Sequence, residues 1–238
     1  MTTRLAPIAV AFSALLLFVG STAAQVPAPA AVPENVSPLY VASYVDVQPA
    51  KRDEGAALLK AHRDATRKEA GNLRALVVSS LYRPGQFVML TTWADQKAWE
   101  AHLTAADTVD ARTRLHALRS APMDDRLNRT LSVGPRDDPG VGGALYAVTH
   151  VDVVPQGRDD AVAVLKVLAE ANRKANGNLR YEVVQQANRA NHFTVFEIWR
   201  SRAAFDANIA APAQAEFRDK LGVMTGALYD ERLYEALN

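Results

Sequence analysis

The 238-residue sequence predicts an α+β protein built from two β-α-β-β-α-β repeats packed sheet to sheet as an intramolecular pseudo-dimer. Three observations carry that expectation. First, the chain repeats itself 106 positions on: LYVASYVDVQP at 39–49 returns as LYAVTHVDVVP at 145–155. The offset holds without a gap at Arg67-Lys68 and Arg173-Lys174, at Gly71-Asn72-Leu73-Arg74 and Gly177-Asn178-Leu179-Arg180, at Trp93 and Trp199, and at Asp124/Asp230 and Arg126/Arg232. Roughly a third of the paired positions are identical, and a period this long marks a duplicated domain rather than a solenoid unit. Second, each copy alternates between strand and helix periodicity in the same order. Third, a four-stranded antiparallel sheet with helices on one face leaves the other face bare, and a duplicated chain carries its own cover for it.

The elements are clearest in the second copy. Leu145, Ala147, Thr149, Val151 and Val153 alternate with Tyr146, Val148, His150 and Asp152, a period of two stopped by Pro155. Ala161, Val164, Leu165, Leu168 and Ala171 then form an apolar stripe at helical spacing, with Asn176-Gly177-Asn178 as the stop. Two strand-like runs follow, Leu179–Gln186 and His192–Trp199, joined by the polar turn 187–191. Ser201 is placed to cap a short helix to about Asn208, and Pro212 to open another reaching Met224. Ala227–Leu237 reads as the last strand. The first copy follows the same order, which is that of a ferredoxin-like split unit with an extra helix before the final strand.

Outside the copies, residues 1–24 read as a secretory signal peptide. Arg4 precedes an apolar run from Ile8 to Val19 and the small residues Gly20-Ser21-Thr22-Ala23-Ala24. The run is too short for a comfortable membrane span. The expected location is therefore periplasmic or secreted, with no stable membrane association after cleavage. No cysteine occurs, which excludes both a lipid-modified cysteine and disulfides. Residues 25–38 form a Pro/Ala-rich tether, and the breaker-rich segment 134–143 links repeat 1 (39–133) to repeat 2 (144–238). The 27 basic and 26 acidic residues nearly balance, so no electrostatic footprint for nucleic acid exists.

Candidate chemistry starts with tryptophan, because both copies end their third strand with it. Phe193, Val195, Glu197 and Trp199 share one face of that strand, as do Phe87, Met89, Thr91 and Trp93. Trp93 and Trp199 read as core anchors or as the walls of a pocket for a flat aromatic ligand. Glu197 stands between large apolar neighbours, where a carboxylate is costly to bury unless paired, protonated or left at a solvated edge. The five histidines (62, 102, 116, 150 and 192) show no paired spacing with carboxylates that would fix a metal. A nucleophile elbow and a phosphate-cradling glycine loop are also missing.

A third strand ending in Glu-x-Trp, as at Glu197-Ile198-Trp199, resembles the antibiotic biosynthesis monooxygenase domain. So do a short helix carrying a His nine residues after the Trp, as with Trp93 and His102, and a first strand ending at Asp and Pro before a helix that runs to Gly-Asn-Leu. The resemblance covers residues 39–131 and 145–236. It implies a dimeric α+β barrel, here closed within one chain, in a family that includes cofactor-free quinol monooxygenases, anthrone-type oxygenases and haem-degrading enzymes. Such short motifs specify fold better than chemistry. Neither copy holds the full set: the first has Thr91 where the family often has Glu, and the second has Asn208 in place of the His. Neither first strand carries the Asn of the haem-degrading members, which argues against that branch.

The resemblance gives His62 a role to weigh. It shares a helix face with Leu58 and Leu59, and its counterpart is Leu168. A His in a core Leu position is either a satisfied buried imidazole or a pocket base. Oxygenation without a cofactor begins by removing a proton from a phenol or carbon acid, and the resulting anion passes an electron to O₂. Tyr40 and Tyr44, with counterparts Tyr146 and His150, line one face of the first strand as potential oxyanion donors. Tyr82 and Arg83 lie in a turn and are expected to face solvent.

The leading expectation is thus a cofactor-independent monooxygenase taking O₂ and a quinol or polycyclic phenol, with no metal and at most one active pocket. His62 or His102 would be the base and Glu197 an orienting carboxylate. Trp93, Trp199, Tyr44, His150 and Asn208 would contact the substrate. The alternatives are an exported ligand-binding or stress-associated module without turnover and a haem-binding or haem-degrading protein. Whether His62, Trp93 and His102 converge on one cavity separates these readings.

Overall fold

The computed structural model describes residues 37–135 and 143–238, which fall within one compact unit. Residues 1–36, where the expected signal peptide and most of the expected tether fall, and residues 136–142 of the expected linker lie outside the described residues. The first repeat runs β1 (Leu39–Asp46), α1 (Arg52–Thr66), β2 (Asn72–Ser80), β3 (Gln86–Trp93), α2 (Gln96–Thr104), α3 (Ala106–Leu118) and β4 (Asp124–Ser132). The second runs β5 (Leu145–Asp152), α4 (Arg158–Arg173), β6 (Asn178–Gln186), β7 (His192–Trp199), α5 (Arg202–Ile209), α6 (Pro212–Gly222) and β8 (Asp230–Ala236). The order and the duplication agree with the sequence reading at every element. A short 3₁₀ turn at Pro49–Lys51 and at Pro155–Gly157 leads into the first helix of each repeat.

Local signals account for the boundaries. Asp95 and Ser201 cap α2 and α5, accepting from the backbone N–H of Ala98 at 2.8 Å and of Ala204 at 3.2 Å. Gly71 and Gly177 close the turn after the first helix with φ of +80° and +81°, a conformation that strains any residue bearing a Cβ. Arg67 and Arg173 then donate across to the carbonyls of Ala75 and Tyr181 at 2.8 and 3.2 Å, tying each helix to the strand that follows.

The two sheets pack face to face as expected, and hydrogen bonding at both edges closes them into the α+β barrel that the resemblance implies. The eight strands form one antiparallel barrel in the order β1-β3-β2-β8-β5-β7-β6-β4. The last strand of each repeat pairs with the second strand of the other, β8 with β2 and β4 with β6. No sheet edge is left bare, and eight strands enclose an interior that side chains alone can fill. Tyr40, Ala42, Val88, Tyr146, Val148, Phe196, Ile198 and Tyr234 occupy that interior. Leu39, Val41, Ser43 and Val45, on the opposite face of β1, lie under the helices. The barrel wall therefore separates a lumen from two helix-covered layers, one per repeat, and this partition decides which candidate residues can act together.

Candidate functional site

In the first repeat, His62 from α1 and His102 from α2 lie between the helices and the sheet, both buried. Their rings stack at 5.4 Å with 22° between planes. His102 also packs against Trp93 at 4.7 Å and Trp99 at 5.1 Å, so three aromatic rings surround its imidazole. His62 and His102 share a cavity lined by Ser43, Val45, Leu59, Met89, Thr91, Trp99, Arg112, Leu115 and Met123. Trp93 sits one layer back, its indole N–H donating to Thr91 Oγ1 at 2.9 Å. The space open to the centre of a water molecule is about 10 Å³, room for about one water. Two of the three expected residues converge on the void directly, and the third supports it.

Two residues not singled out from sequence complete the arrangement. Glu69, in the turn after α1, places its carboxylate oxygens 2.9 and 3.0 Å from His102 Nδ1. Thr108 Oγ1 lies 3.0 Å from the same nitrogen. An ionised carboxylate can only accept, so Nδ1 carries the proton and Nε2 keeps a free lone pair. Burial, and then the Arg112 cation, lowers the His102 pKa from 6.5 to about 4. The carboxylate at 2.9 Å opposes that shift, because it stabilises the imidazolium. Burial also raises the pKa of Glu69, with Asp107 adding to the rise. His62 has no such carboxylate. Burial, then His102 and Arg112, lowers its pKa to about 4, and its Nδ1 has no hydrogen-bond partner. His102 is therefore the stronger base of the two, and both are neutral at pH 7. Arg112, paired with Asp125 at 2.6 Å, closes the cavity beside them, and Ser43 donates to the same carboxylate at 2.6 Å.

The equivalent layer of the second repeat lacks these groups. Leu168 and Asn208 replace the histidines, and Ala175 stands where Glu69 would be. Glu197 accepts from the Trp199 indole N–H at 2.8 Å, the role Thr91 plays for Trp93. It is fully enclosed rather than at a solvated edge. Burial raises its pKa to about 8, opposed by the Trp199 hydrogen bond and assisted by Glu231. Thr149 Oγ1, Asn208 Nδ2, Gln214 Oε1 and Glu231 Oε2 are buried without a hydrogen-bond partner. An apolar cleft of about 230 Å³ between α4 and α6 reaches this layer only as far as Leu168 and Phe217.

Tyr44 and His150 are at equivalent positions of the two copies and meet each other in the lumen, with Tyr44 Oη 2.5 Å from His150 Nε2. Burial and then Arg126 lower His150 to about 4, and burial raises Tyr44 far above its ordinary value. The barrel wall stands between this pair and His62 and His102, so Tyr44 and His150 do not serve as oxyanion donors for a base in that cavity. Tyr82 is exposed, as its turn predicts. Among the described residues, no group of three or more His, Cys, Asp or Glu side chains is placed to hold a metal.

A family model described as "Antibiotic biosynthesis monooxygenase" matches residues 38–114 and again 144–220, well over half of the chain. An uncharacterized protein of Synechocystis sp. (strain ATCC 27184 / PCC 6803 / Kazusa) is 27% identical over 84 residues, covering 35% of this chain and 57% of that relative, so the match spans little more than half of it. Among solved structures, a candidate monooxygenase from Fusobacterium nucleatum superposes with a TM-score of 0.78 at 12% identity, over 86% of this chain and 94% of the other. One from Lactobacillus acidophilus gives 0.71 at 10% identity, over 85% and 95%. An anthrone oxidase-like protein gives 0.68 at 14% identity, over 86% and 93%. At such identities the structural likeness establishes a shared fold. Two matches of the family model at the repeat spacing establish more: the chain is a tandem member of the antibiotic biosynthesis monooxygenase family.

Proposed function

We propose that the chain is a cofactor-independent monooxygenase with one active pocket, in the first repeat, acting on a quinol or polycyclic phenol. The observation that carries this reading is the Glu69–His102 pair, which orients a neutral imidazole at a cavity walled by aromatic rings. His102 Nε2 takes the phenolic proton. Glu69 holds the imidazolium that results, as a carboxylate orients and stabilises a general base. The phenolate gives an electron to O₂, and the radical and superoxide recombine at carbon. Loss of water then leaves the oxidised product, with one oxygen atom retained and all four electrons supplied by the substrate. Trp99 packs against the flat ring, Trp93 backs His102 from one layer behind, and His62 is the second polar group facing the ring.

The chain's relatives support an oxygenase reading, and the substrate class rests on this proposal alone. A second reading, ligand binding without turnover, is favoured by the small cavity volume, since a ring enters only if α2 or α3 moves outward. We also propose that the protein is exported, as residues 1–24 imply. Oxygen uptake by the purified protein with a panel of quinols tests the first reading, with His102→Ala as the comparison. Uptake abolished by that substitution supports it. Saturable quinol binding without uptake supports the second. A Soret band on haemin titration would instead support the haem-binding branch.

A further inference from the structure

We infer that the substrate carries an acidic substituent, a carboxylate on the aromatic ring, seated by Arg119 in a cleft outside the His62/His102 cavity. The inference deepens the proposed function and rests on it for the identity of the site. The cleft has a volume of about 520 Å³ and joins α2, α3 and the approach to β4. Arg112 and Met123 line both it and the inner cavity, so the two spaces meet at that side-chain pair. Leu103, Val109 and Met123 give the cleft an apolar wall, and Arg112, His116 and Arg119 give it a cationic one. No carboxylate is among its lining residues.

The three basic groups differ in what they are free to do. Arg112 is held by Asp125 at 2.6 Å, and that ion pair neutralises it. Arg119 is only partly exposed, and its guanidinium makes no hydrogen bond or ion pair with any described residue. Its backbone is pinned twice: the N–H donates to the Leu115 carbonyl at 2.9 Å, and Arg119 forms a β-bridge with Val47. The base of the side chain is therefore fixed while its planar donor fork remains open, the arrangement suited to bidentate recognition of a carboxylate. His116 lies one helical turn before it on the same side. The equivalents of His116 and Arg119 in the second repeat are Gly222 and Thr225, whereas Arg112 is matched by Arg218, so the open guanidinium of Arg119 belongs to the repeat that holds His102. With α2 or α3 moved outward to admit it, an aromatic acid spanning the two spaces would place its ring beside Met123 and Trp99 and its carboxylate on Arg119.

Binding is measurable without turnover, because Trp99 lines the cavity and its fluorescence should respond to an aromatic ring. The full chain is titrated with 2-naphthoate and with 2-naphthol, as wild type and as Arg119→Gln and Arg119→Lys. The expected result is tighter binding of naphthoate by roughly tenfold, the worth of one charge-assisted hydrogen bond. Arg119→Gln should abolish that preference and Arg119→Lys retain part of it, while naphthol affinity stays unchanged in both variants. Equal affinity for the two ligands in wild type, a preference that survives Arg119→Gln, or binding of neither ligand would overturn the inference. A protein that binds naphthoate through Arg119 yet consumes no oxygen with any quinol of the panel would sink the oxygenase reading and leave this one standing.

Discussion

Glu69 and His102 come from opposite sides of the first repeat's helical layer and meet with 2.9 Å between carboxylate and Nδ1. Glu69 lies just beyond α1, and His102 sits in the last turn of α2. Neither residue has a counterpart that could do the same work, because the second repeat has Ala175 and Asn208. The pair therefore marks which of two nearly identical frameworks is equipped for proton transfer. Replacing Glu69 by Gln removes the charge and keeps the shape. Oxygen uptake should fall about 10- to 100-fold in kcat with little change in KM, the usual loss when the group orienting a ligand or base is removed. Steady-state uptake at saturating quinol measures it.

The Glu197 carboxyl makes the opposite prediction, about stability rather than activity. Its pKa is raised to about 8 by burial, so the native state holds a proton that the unfolded chain releases near its ordinary value of 4.5. The stability contributed by that bound proton is full below about pH 4.5 and is lost as pH rises towards 8. Glu197→Gln keeps an oxygen for the Trp199 indole and removes the titration. The variant should be more stable than wild type at pH 8–9 by on the order of 2 kcal/mol, and its denaturation midpoint should vary less with pH over this range. Urea denaturation at pH 6 and pH 9 checks both.

Buried histidines set the acid limb. His62, His102 and His150 are lowered to about 4 by burial, whereas the unfolded values lie near 6.5. Stability should therefore be full above pH 6.5 and decline as pH falls towards 4, by about 1 kcal/mol per pH unit for each histidine. Glu69 makes the His102 share smaller. His62→Leu installs the residue found at the equivalent position 168. It should raise stability at pH 5 by about 1 kcal/mol and leave pH 8 nearly unchanged. Thermal melts at the two pH values decide it.

The Tyr44–His150 contact separates the lumen from the site. Tyr44→Phe leaves His150 Nε2 without its 2.5 Å partner inside the barrel. The expected loss is about 1–2 kcal/mol of stability. Oxygen uptake should not change, because the sheet lies between Tyr44 and His102. A fall in kcat without loss of stability would mean that the barrel interior takes part in the chemistry.

Gly177 makes a purely structural prediction. At φ +81° an added Cβ would lie 2.6 Å from the Cβ of Ala204, and Gly71 repeats the geometry against Ala98. Gly177→Ala should destabilise by about 2 kcal/mol or more, combining backbone strain with a forced shift of α5 against β6. Gly71→Ala should behave alike, and the same urea series measures both.

The duplication, the strand periods and the Gly177 and Pro212 punctuation located every element, because each signal is local. The pairing of β8 with β2 and of β4 with β6 was not legible, since edge contacts between repeats leave no periodic mark. Trp93, His62 and His102 stood out by type and spacing, and the fold does bring them together. Glu69 did not, because a glutamate near a helix end reads as a solvated charge until the fold carries α2 across to it. Trp99 had a readable signal, lying three residues before His102 on one helix face. Tyr44 and His150 shared a strand face as expected, but which face the helices cover depends on the whole barrel.

Whether the first repeat holds the one active pocket is tested most directly by oxygen uptake of the purified chain with a quinol panel, run on wild type, His102→Ala and Asn208→Ala. A single active pocket in the first repeat requires uptake in wild type, its loss in His102→Ala and its survival in Asn208→Ala. Uptake that persists in His102→Ala, or that disappears in Asn208→Ala while the protein stays folded, would contradict the assignment of a single active pocket to the first repeat.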